Sequence, residues 1–292
     1  MDAVPRARLE VLLAAVCFST GGVAIKLTSL SGVEVAAGRS LVAAAVLWLL
    51  LPSWRHFWDP RSLGVGVFYA ATLVCFVVAT KYTLAANAIF LQSTAPIYVL
   101  LLSPILLREP NQRSDYFVAL LLAIGLACFF LDVDDATRTA PEPALGNALA
   151  IVSGFCLALM LMGLRWLGRE ERGGGASGMG SAALAGNLIA ALVCLPLVLP
   201  MAPVPLRDVG LIGFLGAVQI GLGYFVLTRG IAGVPAVEVA LLLLAEPVLS
   251  AFWAWLVLGE QPGAWALLGC GLIGVATSAR VAIQRGREVR FD

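Results

Sequence analysis

A chain of 292 residues that is 60% hydrophobic and 13% charged, with a mean hydropathy of +0.94, has more apolar surface than a soluble core of that size can hide. Its formal net charge of +1 says nothing about partners, since the charges are sorted by side of the membrane and not pooled into a nucleic-acid patch. The single histidine, His56, leaves no buried imidazole for acid–base catalysis, and there is no glycine-rich phosphate loop with its lysine, so neither an enzyme nor a resident ATPase is indicated and no cofactor is implied.

Crossing hydrocarbon takes about 20 apolar residues as a helix, and ten such stretches are predicted, over residues 9–27, 33–52, 62–80, 84–107, 115–131, 145–166, 180–200, 208–228, 235–258 and 263–283. The expected fold is an all-α integral membrane protein with ten transmembrane helices. The first stretch is of spanning length and lacks a small-residue cleavage site, so it reads as a span and not as a cleaved signal peptide. With the N-terminus inside, 14 of the 19 Lys and Arg residues fall on the cytoplasmic side, which puts both termini there.

Polar groups in apolar company mark the stretches in turn. Ser19 and Thr20 interrupt the first, where hydroxyls can satisfy their own helix. Lys26 at its end, like Lys81 later, snorkels to the outer edge. Arg39 in the second is expected to pair with Glu34 or to reach up to the interface. The third carries Tyr69, Thr72, Phe76 and Thr80 on one face and ends at Lys81 and Tyr82, and the fourth offers Gln92, Thr94, Pro96 and Tyr98. The fifth shows only a ladder of small residues, Ala119, Ala123 and Ala127. A glycine-rich linker is expected over 168–181, after which Asn187 sits in the seventh stretch. Gln219 and Tyr224 stand on the eighth beside a small-residue ridge of Gly213, Ala217 and Gly221. Six cysteines fall one to a stretch with no CxxC pair, so they read as small apolar fillers and no metal site is expected. Trp54, Trp58 and Trp166 read as interfacial anchors.

Glu246 in the ninth stretch is the foremost of these groups, because an intramembrane carboxylate is rare and faces a cavity or a partner. Two readings stand: it binds a substrate amino group or carries a proton, or it is a structural lock bonded to a neighbouring helix. It precedes Pro247, and that proline belongs to a repeat. TAPIYVLLLSPILLRE, residues 94–109, and AEPVLSAFWAWLVLGE, residues 245–260, each place a glutamate 13 positions after a proline, and the copies are 151 positions apart. An odd number of crossings separates them, so they point in opposite directions. Residues 1–132 and 144–292 thus read as two five-helix, inverted-topology repeats joined by an acidic periplasmic linker over 133–143. Such repeats, with Pro96 and Pro247 disturbing helices near mid-membrane, are how secondary transporters build a site that opens to either side.

FSTGGVAIKL at 18–27, GRSLVAAAVL with Arg39, ATKYTLAANAIFLQSTAP leading into the fourth stretch, and the two proline-to-glutamate units together resemble the drug/metabolite transporter superfamily, in its EamA branch of ten-helix carriers. The resemblance covers almost the whole chain. It implies a basket of helices one to four and six to nine around a central cavity, with five and ten as outer supports. It also implies a monomeric bacterial inner-membrane exporter of small metabolites, with amino-acid exporters, including the aromatic amino-acid type, as the members to expect. The family fold alone does not choose a substrate. A phosphate-bearing cargo would call for basic residues deep in the pore, and every Lys and Arg is placed near an edge, with Arg39 the one candidate for a deeper position. A lining of Gln92, Thr94, Tyr98, Phe76, Tyr82, Gln219, Tyr224 and Glu246 suits a zwitterion with an apolar side chain, carried by alternating access. A proton-coupled multidrug exporter of the same fold is the alternative.

Overall fold

A computed structural model describes residues 3–50, 59–111, 113–129, 140–172, 178–199 and 203–259, with 268, 271, 272 and 275 of the tenth predicted stretch. Every regular element among them is helical. Among the described residues eight runs are long and apolar enough to cross a membrane: Val4–Leu27, Gly32–Leu50, Pro60–Tyr82, Asn87–Leu106, Pro143–Arg169, Gly178–Val198, Leu206–Ile231 and Ala236–Leu258. In the fifth predicted stretch the described residues form the helix Arg113–Phe129. Most of the tenth lies outside the described residues, as do His56, Trp54, Trp58, Glu260 and most of the acidic linker.

Polarity is distributed as lipid solvation requires. Leu49 and Leu206 are 82% and 87% exposed, whereas Arg39, Ser153 and Asn187 are fully buried. Hydrocarbon forces polar groups inward and leaves apolar side chains on the outer surface.

The first stretch is split into α1 (Ala3–Ser19) and α2 (Gly21–Leu27). Helix α3 (Gly32–Leu50) starts with a capping box, in which Ser31 N–H donates to Glu34 and Glu34 N–H donates to the Ser31 hydroxyl. Glu34 therefore serves its own helix terminus and does not pair with Arg39. Helix α4 (Pro60–Tyr82) is capped by Asp59, which accepts from Ser62 N–H, and has proline in its first turn, where no N–H is needed. Next come α5 (Ala85–Gln92), α6 (Ala95–Leu106), α7 (Arg113–Phe129), α8 (Pro143–Arg172) and α9 (Gly178–Val198). Since α8 continues through Arg172 and α9 begins at Gly178, the linker expected over 168–181 is helical at both ends. Helix α4 packs on α8 and α9, and α3 on α9. Lys26 and Lys81 do more than snorkel, since their ammonium groups donate to the Thr83 and Thr28 carbonyls and tie the end of α2 to the end of α4.

The eighth stretch is α10 (Leu206–Phe214), a π-helical segment (Leu215–Leu222) and α11 (Gly223–Ile231). The π segment changes which glycines meet a neighbour. A Cβ on Gly216 would lie 2.4 Å from Val42 Cβ, one on Gly221 would lie 2.8 Å from Val46 Cγ1, and one on Gly213 would meet nothing within 4 Å. The contact ridge thus follows the five-residue spacing of a π-helix and is Gly216/Gly221, not the Gly213/Ala217/Gly221 ridge that ordinary helical spacing predicts.

Two further breaks match across the repeat. Helix α5 ends at Gln92 and α6 begins at Ala95; in the ninth stretch α12 (Ala236–Leu242) ends just before Leu243 and α13 (Ala245–Trp253) begins two residues on. Both breaks are tightened by i→i+3 bonds, Thr94 N–H to Leu91 C=O (3.3 Å) and Leu244 N–H to Leu241 C=O (3.2 Å). Pro96 and Pro247 lie in the first turn of the helix that follows, so the interruption falls just before each proline. Inside α6, Pro104 leaves the Leu100 carbonyl without its helical donor, and the Asn111 side-chain amide supplies one at 2.6 Å.

Both units also stop alike. Arg108 and Gly259, 151 positions apart, have φ of 54° and 69°, the left-handed conformation that ends a helix. For the arginine this strain is roughly 1–2 kcal/mol. It precedes Glu109, whose carboxylate accepts from Arg165 (3.0 Å), Arg169 (2.6 Å) and the Ala236 N–H (3.2 Å), binding α6, α8 and α12 at one end of the bundle. Beside it Arg8 pairs with Glu238 at 2.7 Å and joins α1 to α12.

Candidate functional site

The helix breaks converge on the centre. A cavity of about 40 Å³ lies there, room for a few waters and too small for an amino acid without movement. Helices α1, α3, α4, α5, α8, the π segment, α11 and the α12–α13 break all contribute to its wall. A second void of about 20 Å³, shared with the first at Gln92, Leu157, Leu243 and Glu246, is lined by Ser93, Pro96 and Leu244 of the two breaks.

Aromatic rings make one side. Phe18 and Tyr69 both lie against Tyr224, with centroids 4.8 Å and 4.4 Å away, and the Tyr69 hydroxyl accepts from Asn187 at 3.1 Å. The seventh stretch therefore supports the wall through Asn187 without lining the cavity. Phe76 and Thr72 of α4 complete this side. Gln92 donates to the Ser153 hydroxyl at 2.7 Å, which in turn donates to the Thr72 carbonyl at 2.9 Å. Ser153 is the member of this chain that sequence reasoning missed, because a lone serine in an apolar helix has no distinguishing spacing.

Two charged groups face the same space. Arg39 is fully buried, its guanidinium donating to Gln219 Oε1 at 3.1 Å and to the Leu73 carbonyl at 3.0 Å, while its Nε has no partner. Of the places expected for it, beside Glu34, at the interface or deeper, the inward one holds: α3 turns this side chain to the bundle axis, where Gln219 and the Leu73 carbonyl receive it. Glu246 stands in the first turn of α13. Among the described residues its carboxylate has no hydrogen-bond or ion-pair partner, so the reading of Glu246 as a lock bonded to a neighbouring helix finds no bond to rest on.

Of the residues singled out in the sequence, Phe76, Gln92, Gln219, Tyr224 and Glu246 meet at the central cavity, and Pro96 at the adjoining void. Thr94 donates to the Leu91 carbonyl at the α5–α6 break. Tyr98 packs edge-on against Phe155 at 5.4 Å, Tyr82 ends α4, and Pro247 is buried in α13. These four line neither void. No group of three or more metal-ligating side chains occurs among the described residues.

Gly21, at the start of α2, makes room for Gln219, whose Nε2 would lie 2.5 Å from a Cβ added there. Gly21→Ala should push the flexible amide off Arg39. The expected result is transport lowered about tenfold at normal expression and thermal stability, measured as flux into proteoliposomes; ~1.4 kcal/mol corresponds to that factor.

A broken-helix bundle with a polar centre and a lipid-facing apolar surface defines a membrane transporter. Models of the EamA-like transporter family match residues 7–131 and again 144–279, and the chain belongs to that family, within the drug/metabolite transporter superfamily. It is similar to the pseudopaline exporter CntI of Pseudomonas aeruginosa, 26% identical over 295 residues, covering 98% of this chain and 99% of that protein. It is also similar to the Bacillus subtilis transporter YcbK, 25% identical over 284 residues with 89% and 88% covered. The Pseudomonas aeruginosa protein PA1977 is 32% identical over 259 residues, with 84% and 85% covered. A crystal structure at 17% identity shares the fold with a TM-score of 0.73, covering 97% of this chain and 98% of that one.

Proposed function

We propose that this protein exports small zwitterionic metabolites, most of all aromatic and hydrophobic amino acids, across the bacterial inner membrane by alternating access. The observation that carries this reading is Glu246, a carboxylate without a partner among the described residues, facing an aromatic-walled cavity between two helix breaks. A carboxylate so placed recognises an ammonium, and the rings of Phe18, Phe76 and Tyr224 offer apolar and cation–π contact to the rest of the substrate. Two inverted five-helix repeats, ten crossings and cytoplasmic termini complete the proposal. It is supported by the matching breaks and by the left-handed stops at Arg108 and Gly259, which are 151 positions apart. In this topology the Glu109 and Arg8–Glu238 pairs close the cytoplasmic end, and rocking one repeat against the other would part them. The rival reading, a proton-coupled exporter of cationic drugs, shares Glu246 but sets a cationic cargo beside Arg39.

Side-chain recognition is tested by two tyrosines. Tyr224→Ala should weaken competition by phenylalanine and tryptophan about tenfold or more in proteoliposome exchange, whereas Tyr98→Ala should leave it within twofold, since only Tyr224 meets the cavity. Equal effects of the two substitutions would contradict this assignment.

A further inference from the structure

Arg39, like Glu246 across the same cavity, has incomplete surroundings among the described residues. Its guanidinium is fully buried, yet among the described residues both acceptors that it meets are neutral, the Gln219 amide oxygen and the Leu73 carbonyl, and Nε meets none. Arginines at the end of the bundle are treated differently: Arg8 has Glu238, Arg165 and Arg169 share Glu109, and Arg229 has Glu10. A buried cation held without a carboxylate is unfavourable unless an anion arrives to complete it. The fork geometry of a guanidinium matches a carboxylate.

We propose that Arg39 is the carboxylate-binding residue of the transport site, and that substrates must bring an anionic carboxylate as well as an amino group. This rests on the amino-acid reading above and adds to it a second requirement. Gln219 acts as a positioning residue. The π segment presents its side chain to Arg39, and Gly21 leaves it the space. Glu246 on the same cavity supplies the opposite charge, so an α-amino acid bridges the two and neutralises both. An amine lacking the carboxylate leaves Arg39 uncompensated and adds a second cation beside it.

The test uses the full chain in proteoliposomes loaded with phenylalanine, with labelled phenylalanine outside. Competitors are phenylalanine, phenylalaninamide and 3-phenylpropionate. A parallel measurement follows the thermal midpoint of the detergent-solubilised protein with the same compounds and needs no flux. Phenylalaninamide should compete at least tenfold more weakly than phenylalanine. Arg39→Gln should erase that difference, and Arg39→Lys, which keeps the charge but not the fork, should keep part of it. Phenylalaninamide competing as well as phenylalanine in the unaltered protein overturns the inference while leaving amino-acid export standing, and requires no variant to fold. Absence of amino-acid flux overturns the export reading instead. In that case a midpoint raised by 3-phenylpropionate, with no such rise in Arg39→Gln, upholds the carboxylate site, and a midpoint that no carboxylate moves removes it.

Discussion

Glu246→Ala should reduce amino-acid exchange by at least about thirtyfold while leaving the protein folded. The carboxylate faces a small cavity, and no hydrogen bond or ion pair of the described residues depends on it. Among the described residues no cation is ion-paired with it, so its removal breaks no ion pair. What is lost is the bond to the arriving ammonium, and truncating one side of a buried charged pair costs about 2 kcal/mol or more, a factor of roughly thirty. Proteoliposome exchange with labelled phenylalanine gives the first number, and a thermal midpoint in detergent gives the second. A variant that loses stability and exchange together would mean that Glu246 is a structural lock.

Glu109→Ala is expected to do the opposite, striking the fold first. Glu109 and Arg165 side chains are each only 11% exposed, and the same carboxylate also serves Arg169 and the Ala236 N–H. Its removal leaves a buried guanidinium without its counter-charge, which costs about 3–5 kcal/mol. For a helical chain of this size that corresponds to a fall on the order of 10 °C in the unfolding midpoint. Arg169→Ala, at a side chain 41% exposed, should shift the midpoint by less than about 3 °C, because solvent already screens that pair. A Glu109→Ala midpoint within error of the unaltered protein would show that the network contributes little.

How far the sequence disclosed this arrangement depends on the kind of signal each residue leaves. The proline-to-glutamate units were legible because proline acts on the backbone wherever it stands, and the breaks do fall next to Pro96 and Pro247. Their location just before each proline follows from the donor that proline lacks and its clash with the preceding turn. Glu246 was legible because a carboxylate in an apolar run is conspicuous. Arg39 was left open between edge and interior for a physical reason: a single arginine some seven residues into a helix can snorkel or turn inward, and its acceptors, Gln219 180 positions away and the Leu73 carbonyl, decide between them. Gln219 in turn depends on a π segment that periodicity at 3.6 residues cannot anticipate, which is also why the Gly213 ridge failed and Gly216 took its place. Tyr98 shares α6 with Pro96 of the adjoining void but packs on Phe155, since membership of one apolar stretch does not say what each side chain meets. Ser153, Asn187 and Tyr69 form polar links between helices, and such long-range bonds leave no local pattern.

If the cavity between the two breaks carries amino acids across the bilayer, liposomes holding the purified protein will take them up. Liposomes preloaded with unlabelled phenylalanine should accumulate labelled phenylalanine or tryptophan saturably, with a rate that exceeds that of protein-free liposomes at least tenfold and falls to background in Glu246→Ala. Accumulation equal to that of protein-free liposomes for every amino acid tried, with exchange seen instead for a cationic drug, would contradict the account.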